Sequence, residues 1–295
     1  MITIMGASGH TGRAIAEILL GHGEKVRVLS RGGKDLEPLV QRGAEPVVGD
    51  ASDQTYLIKA FRGADAVYAL IPPNMTASDF RAYQDEIGET TAAALIASGV
   101  RYVVFLSSIG AHLPEGTGPI VGLHRQEERL RKVTGVNVLS LRPGYFFENH
   151  FTTLGLIKAQ GIDGGALAAD LAFPQIATRD IAAVGAGALR TRDFKGFTVR
   201  ELMGPRDLTM REATTILGQK IGKPELPYVQ FPYPDFAQSL QQMGVSASLA
   251  QDYAEMARGF NEGRVKPTQP RGEQTTTPTR FEDFAEELAT AYRAM

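Results

Sequence analysis

The chain contains no cysteine, which excludes disulfides, thiolate nucleophiles and thiolate metal sites together. No window approaches the ~18 consecutive apolar residues of a membrane span, so no membrane partner is expected. A signal peptide does not fit either, because the apolar run at the start, Ile2 to Met5, gives way at once to glycine. The expected location is therefore cytoplasmic. A basic surplus is also missing: the formal net charge is −2, which argues against a nucleic acid held by bulk electrostatics. Five histidines are present, His10, His22, His112, His124 and His150, but they are scattered and none has a second ligand at zinc spacing, so no metal is expected. No G-x-S-x-G nucleophile elbow occurs; Gly6-Ala-Ser-Gly-His10 offers a serine in a different setting.

What is present begins in the first twelve residues. Ile2 to Met5 is a short apolar run, Gly6, Gly9 and Gly12 follow at even spacing, and Arg13 to Leu20 carries apolar residues at helical spacing. Strand, glycine turn and helix in that order form a phosphate site: a tight turn, an open approach to backbone N–H groups, and close packing of the helix on its strand. The helix N-terminus adds unpaired donors and partial positive charge, which suits a dinucleotide pyrophosphate. Gly6, Ser8, Gly9, His10, Thr11 and Gly12 are the expected contacts. The second strand, Lys25 to Ser30, ends in Arg31 with no carboxylate before Asp35. An acidic residue there would accept from a ribose 2′-hydroxyl, whereas Arg31, supported by Ser30, Lys34 or Arg13, suits a 2′-phosphate and favours NADP(H); the plainer reading is a pair of solvated charges.

The pattern then alternates. Glu45 to Gly49 reads as a third strand closing on Asp50 and Ala51, where Asp50 either accepts from an adenine amino group or caps the helix that begins near Tyr56. Gly63 to Ile71 holds a fourth strand stopped by Pro72-Pro73, and Leu70, Ile71 and Pro72 would lie against ribose or nicotinamide. A long helix over Ser78 to Ser98 ends at Gly99, and Arg101 to Leu106 is a fifth strand ending in Ser107-Ser108. Ile120 to Thr134 reads as a helix, in which Glu127-Glu128 with Arg125, Arg129 and Arg131 looks like a solvated charged face. Val136 to Leu141 is a sixth strand. This alternation predicts an α/β fold, a doubly wound parallel sheet of Rossmann type with a smaller C-terminal substrate lobe. At 295 residues the chain has room for both. Residues 1–150 are expected to form the NADP(H)-binding domain, with 177–203 returning to it, and 151–176 and 204–295 a substrate or lid lobe. Within that lobe Phe151 to Ala159 reads as helix, Gly161 to Gly165 as a turn, Ala172 to Ile176 as extended and Thr178-Arg-Asp180 as the cap of a helix to Leu189. Phe197 to Met203 is a late strand, Leu208 to Glu212 holds a capping-box start, Arg264 to Pro278 is a surface loop and Phe281 to Tyr292 a closing helix.

With the elements in place, the chain resembles the NmrA-like family of atypical short-chain dehydrogenase/reductases. The resemblance rests on Gly6-Ala-Ser-Gly-His-Thr-Gly12, Arg31, Val48-Gly-Asp50, Ser107-Ser108, Leu141-Arg-Pro-Gly-Tyr-Phe-Phe-Glu-Asn149, Thr178-Arg-Asp-Ile-Ala182 and Thr277-Pro-Thr-Arg-Phe281. It implies an NADP(H)-preferring Rossmann fold in either a reductase of quinones, dyes or other conjugated carbonyls, or a nucleotide-binding redox sensor that does no chemistry. The usual Tyr-x-x-x-Lys dyad departs here, since alignment of the helix after the fifth strand puts Ile120 at the tyrosine and His124 at the lysine. Isoleucine cannot donate a proton, which leaves an acceptor able to take hydride from the cofactor and its proton from water.

Three residues are candidates for the remaining chemistry. His124 either binds ribose or protonates a substrate oxygen, or is an exposed helix histidine. Tyr145 is either a proton donor or an aromatic wall. Ser107 is either a donor to substrate oxygen or a strand-end cap. Phe146 and Phe147 line an apolar floor or belong to the core. With Ser107, His124 and Pro143 added, the expected nucleotide contacts are complete. The expected partner is a small apolar or aromatic substrate, and exposed faces of long helices suit a homodimer. Between enzyme and sensor, the aromatic-lined lobe after residue 150 favours the enzyme, an NAD(P)H-dependent oxidoreductase.

Overall fold

A computed structural model describes residues 1–295. Short runs of β-branched and aromatic residues form the strands of the central sheet: β1 (Ile2–Ile4), β2 (Val26–Ser30), β3 (Glu45–Val48), β4 (Ala66–Ala69), β5 (Tyr102–Leu106) and β6 (Asn137–Pro143). Between them run α1 (His10–Gly21), α2 (Glu37–Val40), α3 (Gln54–Phe61), α4 (Phe80–Ser98) and α5 (Ile120–Arg131). Each helix returns the chain to the start of the next strand, so neighbouring strands are parallel. Ile4 sits between Val28 of β2 and Tyr68 of β4, which puts β1 inside the sheet, with a strand on either side.

The chain then builds β7 (Tyr145–Phe146), α6 (Leu154–Gln160), β8 (Asp163–Gly165), β9 (Phe173–Ile176), α7 (Thr178–Thr191) and β10 (Phe197–Leu202). The last of these pairs with β6 and completes a seven-stranded sheet in the order β10-β6-β5-β4-β1-β2-β3. Helix α7, which leads into β10, lies against α1. The remaining elements are β11 (Asp207–Leu208), α8 (Met210–Lys220), β12 (Tyr228–Gln230), α9 (Tyr233–Gln242), α10 (Ala247–Asn261) and α11 (Phe281–Ala294).

Alternate strand residues fill opposite faces of the sheet. Ile4, Val28, Tyr68 and Val104 pack with Ile15 and Leu19 of α1 and Ile181 and Leu189 of α7. Leu29, Val67, Val103 and Phe105 pack with Leu57 and Phe61 of α3, Leu95 of α4 and Leu130 of α5. A third cluster holds the lobe together through Phe147, Leu154, Leu217, Phe281 and Phe284. Strand order reverses at β1 and β4, and the crevice opened there above the carboxyl ends of the strands is where such sheets take ligands.

Local signals explain most boundaries. Gly99 ends α4 at φ 74°, a left-handed conformation glycine adopts without strain. Thr209 and Glu212 form the expected reciprocal capping box of α8. Four expectations change. Gly161 to Gly165 is more than a turn, since β8 pairs in parallel with β12. Phe151 to Ala159 is helical in two pieces, a 3₁₀ segment over Phe147–Thr153 followed by α6. The cap of α7 is Ala177, whose side chain cannot cap; the Glu148 carboxylate accepts from the Thr178 N–H at 3.0 Å and from its hydroxyl, while Asp180 accepts from the Thr279 N–H at 2.9 Å and its hydroxyl at 2.7 Å. The stretch from Arg264 to Pro278 is not a free surface loop. Glu201 of β10 takes up the Thr268 and Gln269 N–H groups at 2.8 and 2.7 Å, and Met203 bridges to Thr276, so the segment covers an otherwise open sheet edge.

Candidate active site

The phosphate turn follows from three glycines, two of them placed by close contact. Gly6 has φ 63° and faces Leu70, whose Cδ2 would lie 2.9 Å from an added Cβ. A Cβ on Gly12 would collide with the Gly6 carbonyl, so α1 can approach β1 this closely only with glycine there. Gly9 differs: an added Cβ would meet only the Gly6 oxygen at 3.4 Å, so the space over it is open. As the N-cap of α1 it supplies no side-chain oxygen, leaving first-turn N–H donors free toward that space. The Tyr68 hydroxyl donates to Thr11 at 3.0 Å and holds the turn from beneath.

One cavity of about 560 Å³ begins at this turn. Gly6, Ser8, Gly9, His10 and Thr11 line it, with Arg31, Asp50 and Ala51 at one end and Leu70, Ile71 and Pro72 along its side. Gly12 serves packing and does not reach the cavity wall. Ser30 donates to Ser8 at 3.1 Å, tying the end of β2 to the turn beside exposed Arg31. Asp50 is not the cap of α3; Asp53 is, accepting from Tyr56 N–H at 3.1 Å. Asp50 accepts from the Ser52 N–H and hydroxyl, both at 2.9 Å. The Ser52 N–H bond, and more weakly the Arg31 guanidinium, hold its carboxyl below the usual carboxylate range. Lys34 and Arg13 are not part of the lining; Arg13 donates to the Asp35 carbonyl at 3.1 Å.

At the other end the lining is Leu106, Ser107, Ser108, Pro119, Ile120, Leu123, Tyr145, Phe146 and Asn149, joined by Tyr253, Met256 and Phe260 of α10. Arg31 and Asp50 are the only lining residues with a carboxylate, lysine or arginine group, and both belong to the first end. Phe146 lines the chamber, whereas Phe147 is core, stacked edge-on against Phe281 at 5.0 Å. Tyr145 is an aromatic wall, its ring edge-on to His150 at 5.9 Å and to Phe173 at 5.7 Å. Burial first, then the nearby Asp163 carboxylate, push its phenol above its ordinary value. A neutral phenol of that kind can donate a hydrogen bond but releases its proton reluctantly.

Besides Gly12, two expected contacts lie elsewhere. His124 does not line the cavity; its Nδ1–H donates to the Ala111 carbonyl at 2.9 Å, and the helix presents Ile120 and Leu123 instead. His124 shares a side of the helix with Ile120, one turn away, and it is the bond to the loop carbonyl of Ala111 that holds its ring away from the cavity. Pro143 is buried at the end of β6, where its carbonyl accepts from Ile109 N–H at 3.0 Å, while Gly144 reaches the lining.

The largest correction concerns Glu127. It is 1% exposed rather than solvated, and its Oε1 accepts from Ser107 at 2.7 Å, Ser140 at 2.8 Å and Arg142 Nε at 2.9 Å. Arg142 Nη2 reaches Oε2, which makes the pair a two-pronged buried ion pair. The Ser107 hydroxyl proton is thereby committed to Glu127 and is not free for a substrate oxygen. Glu128 and Arg131 remain exposed, as expected.

Sequence reasoning also missed Tyr83, Gln84, Asn149, Tyr253, Met256 and Phe260, all of which line the cavity. Tyr253, Met256 and Phe260 stand at helical spacing, a readable stripe, but nothing local says that it faces a cavity. Tyr83 donates to the Pro72 carbonyl at 2.8 Å and so fixes the loop after β4.

A phosphate turn at a strand-order reversal, a free arginine after β2 and an uncharged aromatic chamber together define a nucleotide-dependent oxidoreductase of Rossmann type, and the cofactor these residues fit is NADP(H). The chain belongs to the NmrA-like family, whose model matches residues 1–286. It is 33% identical over 224 residues to the (4-alkanoyl-5-oxo-2,5-dihydrofuran-3-yl)methyl phosphate reductase of Streptomyces griseus, covering 76% of this chain and 75% of that one. The NADPH-dependent quinone oxidoreductase of Escherichia coli, solved with NADPH, superposes with a TM-score of 0.81 at 21% identity, covering 98% of this chain and 99% of that one. The triphenylmethane reductase of Citrobacter sp. gives 0.82 at 17% identity over 98% and 99%. These two likenesses support the fold. No helix is long and apolar enough to cross a membrane.

Proposed function

We propose that this chain is an NADPH-dependent reductase that passes hydride to a flat, apolar, electron-poor acceptor such as a quinone, a dye or another conjugated carbonyl. The observation that carries the reading is the continuity of one cavity, from the phosphate turn and Arg31 to a chamber walled by Tyr145, Phe146, Tyr253, Met256 and Phe260. NADPH supplies the hydride, and the protein supplies position and exclusion of water. The turn holds the pyrophosphate, Arg31 takes the 2′-phosphate, and α10 closes the chamber over the acceptor. Four polar ties hold α10 and its leading turn to the sheet and its helices: Phe80 N–H to Ser248, Arg81 to Asp252 at 2.8 Å and to Glu255 at 2.7 Å, and Ser246 N–H to the Met75 carbonyl.

The absence of a strong acid in the chamber supports an acceptor that needs none. No tyrosine in the chain is followed four residues later by lysine, and α5 offers Ile120 and Leu123 to the cavity. The chamber also has no lysine or arginine to meet a phosphate, such as the one named in the substrate of the Streptomyces relative, which favours an acceptor without one.

The test is NADPH oxidation followed spectrophotometrically across quinones, dyes and enones, beside a fluorescence titration of NADPH. Acceptor-dependent oxidation with at least one conjugated acceptor is expected. Tight binding with no oxidation by any of them would replace the reductase by a redox sensor.

A further inference from the structure

The polarity of Ser107 assigns it a partner. A hydroxyl has one proton and two lone pairs. Ser107 points its proton at Glu127 Oε1, and that carboxylate has nothing to give back: every group within reach of it, Ser107, Ser140 and the two nitrogens of Arg142, is a donor. Arg142 can never accept, so the arrangement cannot reverse by rotating one hydroxyl. The Ser107 N–H is spent on the Leu141 carbonyl at 2.8 Å, which fixes the backbone beneath it. What Ser107 turns to the cavity is therefore an acceptor only. A carbonyl oxygen of a quinone or enone finds no donor there.

Resting on the reading of the cavity as an NADP(H) site, we propose that Ser107 accepts a hydrogen bond from the carboxamide N–H of the nicotinamide, and that Glu127 is the positioning residue that keeps it an acceptor. Ser107 stands at the carboxyl end of β5, in the half of the crevice across the β1/β4 reversal from Arg31 and Asp50, where the nicotinamide half of a dinucleotide falls. The carboxamide is the amide donor of that half. Holding it fixes the rotation of the ring and so the face that meets the aromatic chamber.

The experiment compares equilibrium binding of NADP⁺ with that of its 3-acetylpyridine analogue, in which a methyl group replaces the amide nitrogen. Wild type should bind NADP⁺ more tightly by roughly fivefold to tenfold, the value of one neutral hydrogen bond. Ser107→Ala should weaken NADP⁺ by that factor, leave the analogue unchanged and bring the ratio close to one. Glu127→Gln, whose amide oxygen can keep the position where Ser107, Ser140 and Arg142 Nε all donate, should preserve the discrimination, whereas Glu127→Leu, which frees the Ser107 hydroxyl to turn and donate, should weaken it. Because both of these variants disturb a buried ion pair, Ser107→Ala alone decides the matter if they do not fold. An unchanged ratio in Ser107→Ala, or equal weakening of both nucleotides, would overturn the proposal and move the contact to the ribose or to no ligand. Wild type that binds neither nucleotide would instead remove the cofactor reading, and this inference with it.

Discussion

Glu127 and Arg142 meet as a buried ion pair, their side chains 2% and 7% exposed, and join α5 to β6 directly behind the cavity wall. Removing one partner strands the other charge in the interior, which costs about 3–5 kcal/mol, whereas removing both can be close to neutral. Arg142→Met should therefore lower unfolding stability by roughly that amount. Glu127→Leu combined with Arg142→Met should recover more than half of the loss. A urea-denaturation cycle reads the coupling; additive losses would show that the pair holds nothing together.

Arg31 lines one end of the cavity and is proposed to read the 2′-phosphate that distinguishes NADPH from NADH. Loss of a charge-assisted hydrogen bond is worth about 1.5–3 kcal/mol, or roughly 10-fold to 100-fold in affinity. Arg31→Ala should weaken NADPH by that factor and leave NADH nearly unchanged in a fluorescence titration. Equal losses for the two would mean that Arg31 does not read the 2′ position.

The glycines of the turn should separate by role. Gly12→Ala puts a Cβ into the Gly6 carbonyl, so α1 must move off β1 and the melting temperature should drop. Gly9→Asp has room in the free protein, with only the Gly6 oxygen at 3.4 Å from its Cβ, but it aims a carboxylate at the pyrophosphate. It should melt as wild type does and lose nucleotide binding. Retained affinity in Gly9→Asp would make the turn structural only.

These contrasts show which parts of the molecule are written locally. The turn and Arg31 are legible because strand, glycine spacing and helix lie within one short stretch, and the sheet follows from runs such as Tyr102 to Leu106. The burial of Glu127 is not, because its neighbours Arg125, Glu128, Arg129 and Arg131 give the segment a solvated look, and its partner lies on the following strand, 15 residues away. His124 lies on the same side of α5 as cavity-lining Ile120, but its ring is drawn to the Ala111 carbonyl, a contact with a loop 13 residues away that nothing local announces. The same holds for Tyr253, Met256 and Phe260, whose spacing fits a core face as well as a chamber wall.

Tyr56 links stability to alkaline pH. Its hydroxyl donates to the Val47 carbonyl at 2.9 Å, and burial, then the Asp50 charge, push its phenol up to about 12. A folded pKa above the unfolded value near 10 means that this contribution is complete below pH ~10 and is lost as pH rises through about 12. Wild-type melting temperature should fall more steeply than that of Tyr56→Phe across this window. The variant should begin lower at pH 8, lacking the hydrogen bond, and the gap should close by the top of the range. Parallel curves would place the titration elsewhere.

Tyr145 decides how the acceptor gets its proton. Removing a general acid costs 10²-fold to 10⁴-fold in rate, so its absence from the chemistry is easy to see. Its phenol is buried against Phe173 and His150 and is held above its ordinary value, which makes it a poor acid near neutrality. With water as the proton source, Tyr145→Phe should lower kcat for a quinone by less than about threefold, with KM rising by a similar factor if the hydroxyl donates a hydrogen bond to the acceptor. The pH profile of kcat should keep its shape, because the group that was removed did not titrate in it. A loss of a hundredfold or more at unchanged KM would instead make Tyr145 the acid, and the chamber would have to be read as one that serves carbonyls unable to collect their proton unaided.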